Sequence, residues 1–202
     1  MARSKEGVTR ELIEGVELLI YKERPSSLPH MFMESVVRNP DKPALICEDL
    51  RWSYRELGCL VNRAAFSLFE RYGVRKGDRV AVLLNNCPEF VVLYLAVTSL
   101  GGIFVPLNAR LKARELVPQI LKAKPKVLIA GEDTWVELES LLQSLKGTER
   151  ILKLGPPCGD AESVQDILEG PDTPPPCLEH VQEEDLCSII FTSGTTGPPR
   201  GS

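Results

Sequence analysis

The sequence predicts an α/β fold, a mainly parallel sheet with helices on both faces. Three observations carry that prediction. Short apolar runs with almost no polar alternation recur: "DRVAVLL" (78–84), "IFVPLN" (103–108) and "KVLIA" (126–130). Strands read this way when both faces are buried. Segments of helical periodicity lie between them, which is the signature of βαβ units. Glycine and proline mark the joins, as at Gly73, Pro88 and Gly101-Gly102.

The elements follow in order. Residues 9–20 fit an amphipathic helix, with Leu12, Ile13, Val16, Leu19 and Ile20 on one face, so 1–27 reads as an N-terminal helical segment. A second helix spans 27–38, and "PALICE" (43–48) is a short strand. In "WSYRELGCLVNRAAFSLFERYG", Ser53 and Glu56 make a capping box, and Gly73 ends the helix. After strand 78–84, Asn86 is placed to cap, Pro88 fits the first turn and Glu89 completes a second capping box. Strand 103–108 and a helix over 113–123 follow, the latter with Pro118 inside it. Strand 126–130, a helix over 134–146 and a strand near 150–154 continue the alternation.

Residues 155–185 break the rhythm. They hold six prolines and nine Asp or Glu, with no Lys or Arg. This composition predicts an acidic, Pro-rich surface loop with one helical turn near 163–168. Residues 186–192, "LCSIIFT", then return to strand character.

Bulk properties exclude several classes. A net charge of -4 and a pI near 5.4 disfavour a nucleic-acid binder. No apolar stretch reaches the roughly 18 residues of a membrane span. The acids Glu11, Glu14 and Glu17 argue against a signal or transit peptide. The cysteines Cys47, Cys59, Cys87, Cys158, Cys177 and Cys187 form no CxxC pair and read as reduced thiols. His30 and His180, the only histidines, have no ligand-spaced partner, so no metal site is read. A cytoplasmic setting is the default, with an organelle left open.

Chemistry concentrates in Thr192-Ser193-Gly194-Thr195-Thr196-Gly197-Pro198-Pro199-Arg200-Gly201. The glycines let backbone amides turn toward one point. Four hydroxyls add donors, and Arg200 adds a forked cation suited to phosphate oxygens. A flexible linker draws on similar residues. The strand before the segment, and the Arg and two prolines within it, weaken that reading. Neither a Walker A loop nor GxGxxG can be fitted.

The pattern resembles the phosphate-loop signature of the AMP-forming adenylate synthetase superfamily, which includes acyl-CoA synthetases, firefly luciferase and peptide synthetase adenylation domains. Every position matches, with Arg200 where Lys is more usual. "WSYRELGCLVNRAA" resembles the early helix of that family, and residues 77–130 resemble its second core region. "VPLNARL" followed by "EL" looks more like the acyl-CoA synthetase branch. The similarity runs from about 28 to 201, so 28–202 would be the first part of the AMP-binding N-terminal domain.

The resemblance implies ATP-dependent activation of a carboxylic acid, fatty acids above all, to an acyl-adenylate and then a coenzyme A thioester. Thr192, Ser193, Gly194, Thr195, Thr196, Gly197 and Arg200 would hold the β- and γ-phosphates, with Mg2+ as cofactor. It places the Mg2+-linked Glu, the ribose Asp and a C-terminal domain with its adenylation Lys beyond residue 202. The chain alone is therefore expected not to adenylate. Another carboxylate activator, or a non-catalytic short form that binds a partner, remains open, as does oligomeric state. The last residues are expected to be poorly ordered.

Three other features draw a bland reading. Trp52 and Tyr54 beside Arg51 and Arg55 read as core aromatics at a helix start, not as a base-stacking patch. Cys87 before Pro88 reads as structural, and Glu183-Glu184-Asp185 as a solvated acidic turn.

Overall fold

The computed structural model describes residues 7–13, 15–139, 145, 150–155, 162–174, 180–192 and 200–201. Five strands form one parallel sheet: β5 (Arg79–Leu83), β6 (Ile103–Pro106), β7 (Val127–Ala130), β8 (Arg150–Lys153) and β9 (Glu162–Ser163), in the order β6-β5-β7-β8-β9. The helices are α1 (Leu28–Arg38), α2 (Tyr54–Glu70), α3 (Pro88–Ser99), α4 (Ala113–Ala123), α5 (Glu132–Glu139) and α6 (Gln165–Leu168). The α/β prediction holds.

Alternate residues of the central strands face opposite ways, and each face has its own core. Val80, Val82, Phe104 and Ile129 pack with α1, α2, α3 and α6. Ala81, Leu83, Val105 and Leu128 pack with α4 and α5. Helix α3 is buried through most of its length, including Thr98 and Ser99. Their hydroxyls donate to carbonyls one turn back, Thr98 to Tyr94 at 2.9 Å and Ser99 to Leu95 at 2.7 Å. No buried hydroxyl there is left unpaired, which would cost about 1–3 kcal/mol.

The capping box of α2 forms as predicted: the Glu56 carboxylate accepts from the Ser53 amide at 2.8 Å and the Glu56 amide donates to the Ser53 hydroxyl at 3.2 Å. The second predicted box does not. Cys87, with φ −147°, is the N-cap of α3 and makes no side-chain cap bond. Pro88 explains the difference, because a proline at the first helical position forces the residue before it to be extended. Helix α4 accommodates Pro118 in its interior. Trp52 and Tyr54 are partly buried against the α1–α2–α3 core, as the core reading expects.

The N-terminal segment is not helical. Val8–Ile13 (β1) and Val16–Tyr21 (β2) form an antiparallel hairpin with Val8 opposite Tyr21 and Ile13 opposite Val16. Gly15 at φ +82° turns the chain, whereas a mid-helix glycine would cost about 0.5–1 kcal/mol. Arg10 and Glu17 pair at 2.8 Å across the strands. Residues 43–47 (β3) likewise pair antiparallel with Leu50–Ser53 (β4), outside the main sheet.

The acidic segment is less solvated than its composition suggests. Within it lie β9 and α6, the latter where a helical turn was expected. Several of its carboxylates engage the body: Arg24 donates to Glu183 at 2.8 Å, Lys76 pairs with Asp185 at 2.6 Å, and Tyr72 donates to Glu162 at 3.0 Å. The partners lie 159, 109 and 90 residues earlier in sequence. Cys158 and Cys177 lie outside the described residues; Cys47, Cys59, Cys87 and Cys187 are free thiols.

Gly101, between α3 and β6, has φ +67°, and an added Cβ would meet Lys76 Cγ at 3.0 Å. Gly101→Ala is expected to lower stability by about 1–2 kcal/mol, the cost of a left-handed backbone for an L-residue. A urea titration checks this: the midpoint should fall at unchanged slope.

Candidate nucleotide site

The signature segment reaches its place by borrowing a sheet edge. Strand β6 is the outermost strand on its side, and residues 187–189 pair beside it in parallel. The Phe104 amide donates to the Cys187 carbonyl at 2.9 Å, and the Ile189 amide donates to the Phe104 carbonyl at 3.0 Å. The Phe104 side chain is fixed in turn. Phe90 and Tyr94 of α3 meet it edge-on, with ring centroids 5.2 and 5.1 Å away. The strand expected over 186–192 thus forms as this short bridge followed by Phe191–Thr192 (β10).

Parallel pairing carries the chain toward the carboxyl ends of the strands, the end at which open α/β sheets bind ligands. There β10 pairs antiparallel with Arg200–Gly201 (β11), Phe191 opposite Gly201 and Thr192 opposite Arg200. Two of the predicted phosphate-binding residues, Thr192 and Arg200, are therefore neighbours across a hairpin. Thr192 is exposed. Ser193, Gly194, Thr195, Thr196 and Gly197 lie outside the described residues, as does most of the stretch expected to be poorly ordered.

A cleft of about 940 Å³ opens beside the hairpin. Leu84 to Asn86, after β5, form one wall; Pro106 to Leu111, after β6, form another. Helix α4 contributes Arg114, Glu115, Pro118 and Gln119, and Ile190 and Phe191 close the side toward the signature. Asn108 shapes the turn after β6 by accepting from the Arg110 amide at 3.0 Å. Glu115 is committed to the start of α4, where it accepts from the Lys112 amide at 3.2 Å. Sequence reasoning did not single out Gln119. The available signal was a lone polar residue on the face of α4 that carries Leu116, Ile120 and Ala123 into the core.

Cys87, next to the cleft, is not an activated nucleophile. Burial pushes its thiol up to about 11. Among the described residues no group of three His, Cys, Asp or Glu is placed to hold a metal ion. No described helix is long and apolar enough to cross a membrane.

A family model for AMP-binding enzymes matches residues 32–202. The chain belongs to the AMP-binding enzyme family. Among curated members, it is 30% identical over 175 residues to human long-chain fatty acid transport protein 6, covering 85% of this chain and 28% of that protein. It is 33% identical over 169 residues to crotonobetaine/carnitine–CoA ligase of Escherichia coli O1:K1, covering 79% and 32%. Among solved structures, a putative long-chain-fatty-acid CoA ligase from Rhodopseudomonas palustris aligns with TM-score 0.74 at 30% identity, over 87% of this chain and 43% of that one. Anthranilate CoA ligase AuaEII, in complex with anthranoyl-AMP, aligns with TM-score 0.79 at 26% identity, over 86% and 33%. This AMP-binding family chain spans about a third of the length of the curated relatives it matches.

Two predictions follow from the site's supports. At pH 8 a thiol reagent should modify exposed Cys187 first and Cys87 at least about tenfold more slowly, since a thiol titrating near 11 is almost wholly protonated there; mass spectrometry of timed samples reads the order. Hydrogen bonds from Arg24 hold Glu183 below the usual carboxylate range, and a bond from the Gln182 amide and the Lys76 partner do the same for Asp185. A depressed carboxylate stabilises above its unfolded pKa and ceases to do so as pH falls through the folded value. Amide exchange over 180–189, corrected for intrinsic rates, should accelerate below about pH 4, and Arg24→Ala should bring part of that acceleration to neutral pH.

Proposed function

We propose that this chain supplies the phosphate-binding part of an enzyme that activates a carboxylic acid, a fatty acid above all, with ATP and passes the acyl group to coenzyme A. One observation carries the reading: the signature is unbroken in sequence from Thr192 to Gly201, and its ends, Thr192 and Arg200, pair beside the carboxyl end of a parallel sheet. The coenzyme A ligases among the relatives support it.

A carboxylate is a poor electrophile, because its charge repels nucleophiles and oxide is a poor leaving group. Attack of a carboxylate oxygen on the α-phosphorus of ATP forms a P–O bond and breaks the bond to pyrophosphate. A thiolate then attacks the acyl carbon, the C–O bond to AMP breaks, and the thiol proton goes to solvent. Charge accumulates on pyrophosphate in the first step. Donors held in place before the reaction lower that barrier without reorganising. Thr192, the hydroxyls and amides of 193–197, and Arg200 fit this task. They orient the phosphates and stabilise charge, and they transfer no proton. Mg2+, bound with ATP, would supply further charge neutralisation, and no step here is assigned to it. Free thiols fit a reducing compartment such as the cytosol.

The 202-residue chain alone should give no carboxylate-dependent exchange of pyrophosphate into ATP, whereas the full-length protein should give exchange and a thioester when supplied with fatty acids. Exchange by this chain alone would overturn the division of labour. In the full-length protein, Arg200→Ala should lower the exchange rate about 10²-fold or more. Arg200→Lys should retain most of it, because the cation is kept and only the forked geometry is lost.

A further inference from the structure

The N-terminal hairpin carries the densest group of exposed apolar side chains among the described residues: Leu12, Ile13, Val16, Leu18, Leu19 and Tyr21. It is a two-stranded sheet of β1 and β2 that no other described strand joins. Two strands alone are marginal in water, and a third is ordinarily needed. The two free edges differ. The Lys22 amide donates to the Gly7 carbonyl at 2.9 Å. Bonding alternates along an antiparallel ladder. With Val8 opposite Tyr21, the backbone groups of Val16, Leu18 and Ile20 therefore turn toward β1, and those of Glu17, Leu19 and Tyr21 turn outward. Arg24 closes one end of that outer edge by donating to the Tyr21 carbonyl at 2.8 Å. Glu17 and Leu19 keep amides and carbonyls that no described backbone group meets.

Edge strands are ordinarily guarded by Lys, Pro or a bulge. β2, "VELLIY", has none of these. Its one charge, Glu17, is neutralised by Arg10 across the hairpin at 2.8 Å. β1 is guarded, because Arg10 and Glu11 sit at its middle. Antiparallel pairing of β1 with its own copy, centred on either residue, would set like charges opposite each other. The match to the family model begins at residue 32, so the hairpin is an element that model does not describe. The occupant that fits the outer edge of β2 is a second β2, which offers the same outward groups in the opposite direction and adds no charge that lacks its Arg10.

We propose that β2 is a self-pairing edge through which two copies of this chain form a two-fold dimer. Leu18 of each copy lies at the axis and faces its counterpart. Glu17 of one copy and Leu19 of the other exchange both backbone hydrogen bonds, and the reciprocal pair does the same. No like charges meet in this register. The contact buries less than about 1,200 Å², the low end for specific interfaces, so association is reversible. This surface lies apart from the signature and the cleft and does not rest on the proposed ligase reaction.

Sedimentation velocity of the 202-residue chain tests it. The weight-average mass should rise from 22.4 kDa toward twice that value, and no further, as the concentration is raised from micromolar to hundreds of micromolar. Leu19→Pro removes only an outward N–H, so the β1–β2 ladder stays while the dissociation constant rises about tenfold or more. Leu19→Lys should do the same. Leu12→Lys, on the same face of the hairpin but on β1, should leave the dissociation constant unchanged. Circular dichroism confirms that each variant keeps its fold. Leu18→Cys, mildly oxidised, should give a disulfide between the two introduced thiols, because residues facing each other without mutual hydrogen bonds have Cα atoms about 4.5 Å apart; peptide mapping identifies the link. A chain that stays monomeric, a mass that grows past the dimer, a dimer indifferent to both Leu19 variants, equal weakening by Leu12→Lys, or a cross-link made only through the native cysteines would each overturn the assignment. The assay contains no nucleotide, so its failure is distinct from failure of the adenylation assay.

Discussion

Two backbone hydrogen bonds at Phe104 decide where the signature segment goes. One amide and one carbonyl of an edge strand accept residues 187–189 in parallel, and that register delivers Thr192 to the carboxyl end of the sheet. The same residue is clamped from the other side by two aromatic rings of α3. Edge-to-face contacts of this kind contribute about 0.5–1.5 kcal/mol each beyond the area they bury. A parallel edge with unpaired backbone groups would otherwise invite foreign strands. Here the chain's own continuation occupies part of it.

Charge placement completes the support. The segment before the bridge is rich in acids, and the basic residues that meet them come from early in the chain: Arg24 from beyond the N-terminal hairpin and Lys76 from the turn before β5. Arg24 also reaches Glu11 at 3.0 Å, so one guanidinium joins the hairpin to the segment that leads into the site. Each pair is at least partly solvent-exposed, and such pairs contribute little individually. Their effect is positional: they hold residues 183–185 against the body just before the bridge.

What the sequence disclosed follows from how local each interaction is. Strands β5, β6 and β7 were legible because burial on both faces removes polar alternation, leaving "RVAVL", "IFVP" and "VLIA" as continuous apolar runs. The α2 cap was legible because Ser53 and Glu56 interact three residues apart. The N-terminal hairpin was not, because Leu12, Ile13, Val16 and Leu19 satisfy a helical spacing and do not alternate as a half-buried strand would, and only Gly15 argues for a turn. Leu12 and Leu19, 74% and 70% exposed, also show that this apolar pattern does not mark a core face. At the site, Thr192 and Arg200 could be read from the motif. Gln119 was legible only as a lone polar residue on the core face of α4; that it lines a cleft appears only when the walls around it are in place. The ion pairs Arg24–Glu183 and Lys76–Asp185 span more than a hundred residues, beyond any pattern in a sequence window.

The strand order has a consequence for how the protein is made. β5 is the first strand of the main sheet to leave the ribosome, and it lies inside the finished sheet. β6 then adds to one edge, β7 to the other, β8 to β7 and β9 to β8, and residues 187–189 finally join β6. No strand must be inserted between two that are already paired. The described strands can therefore be added outward in the order of translation, with residues 187–189, which lead to the signature segment, joining after β9.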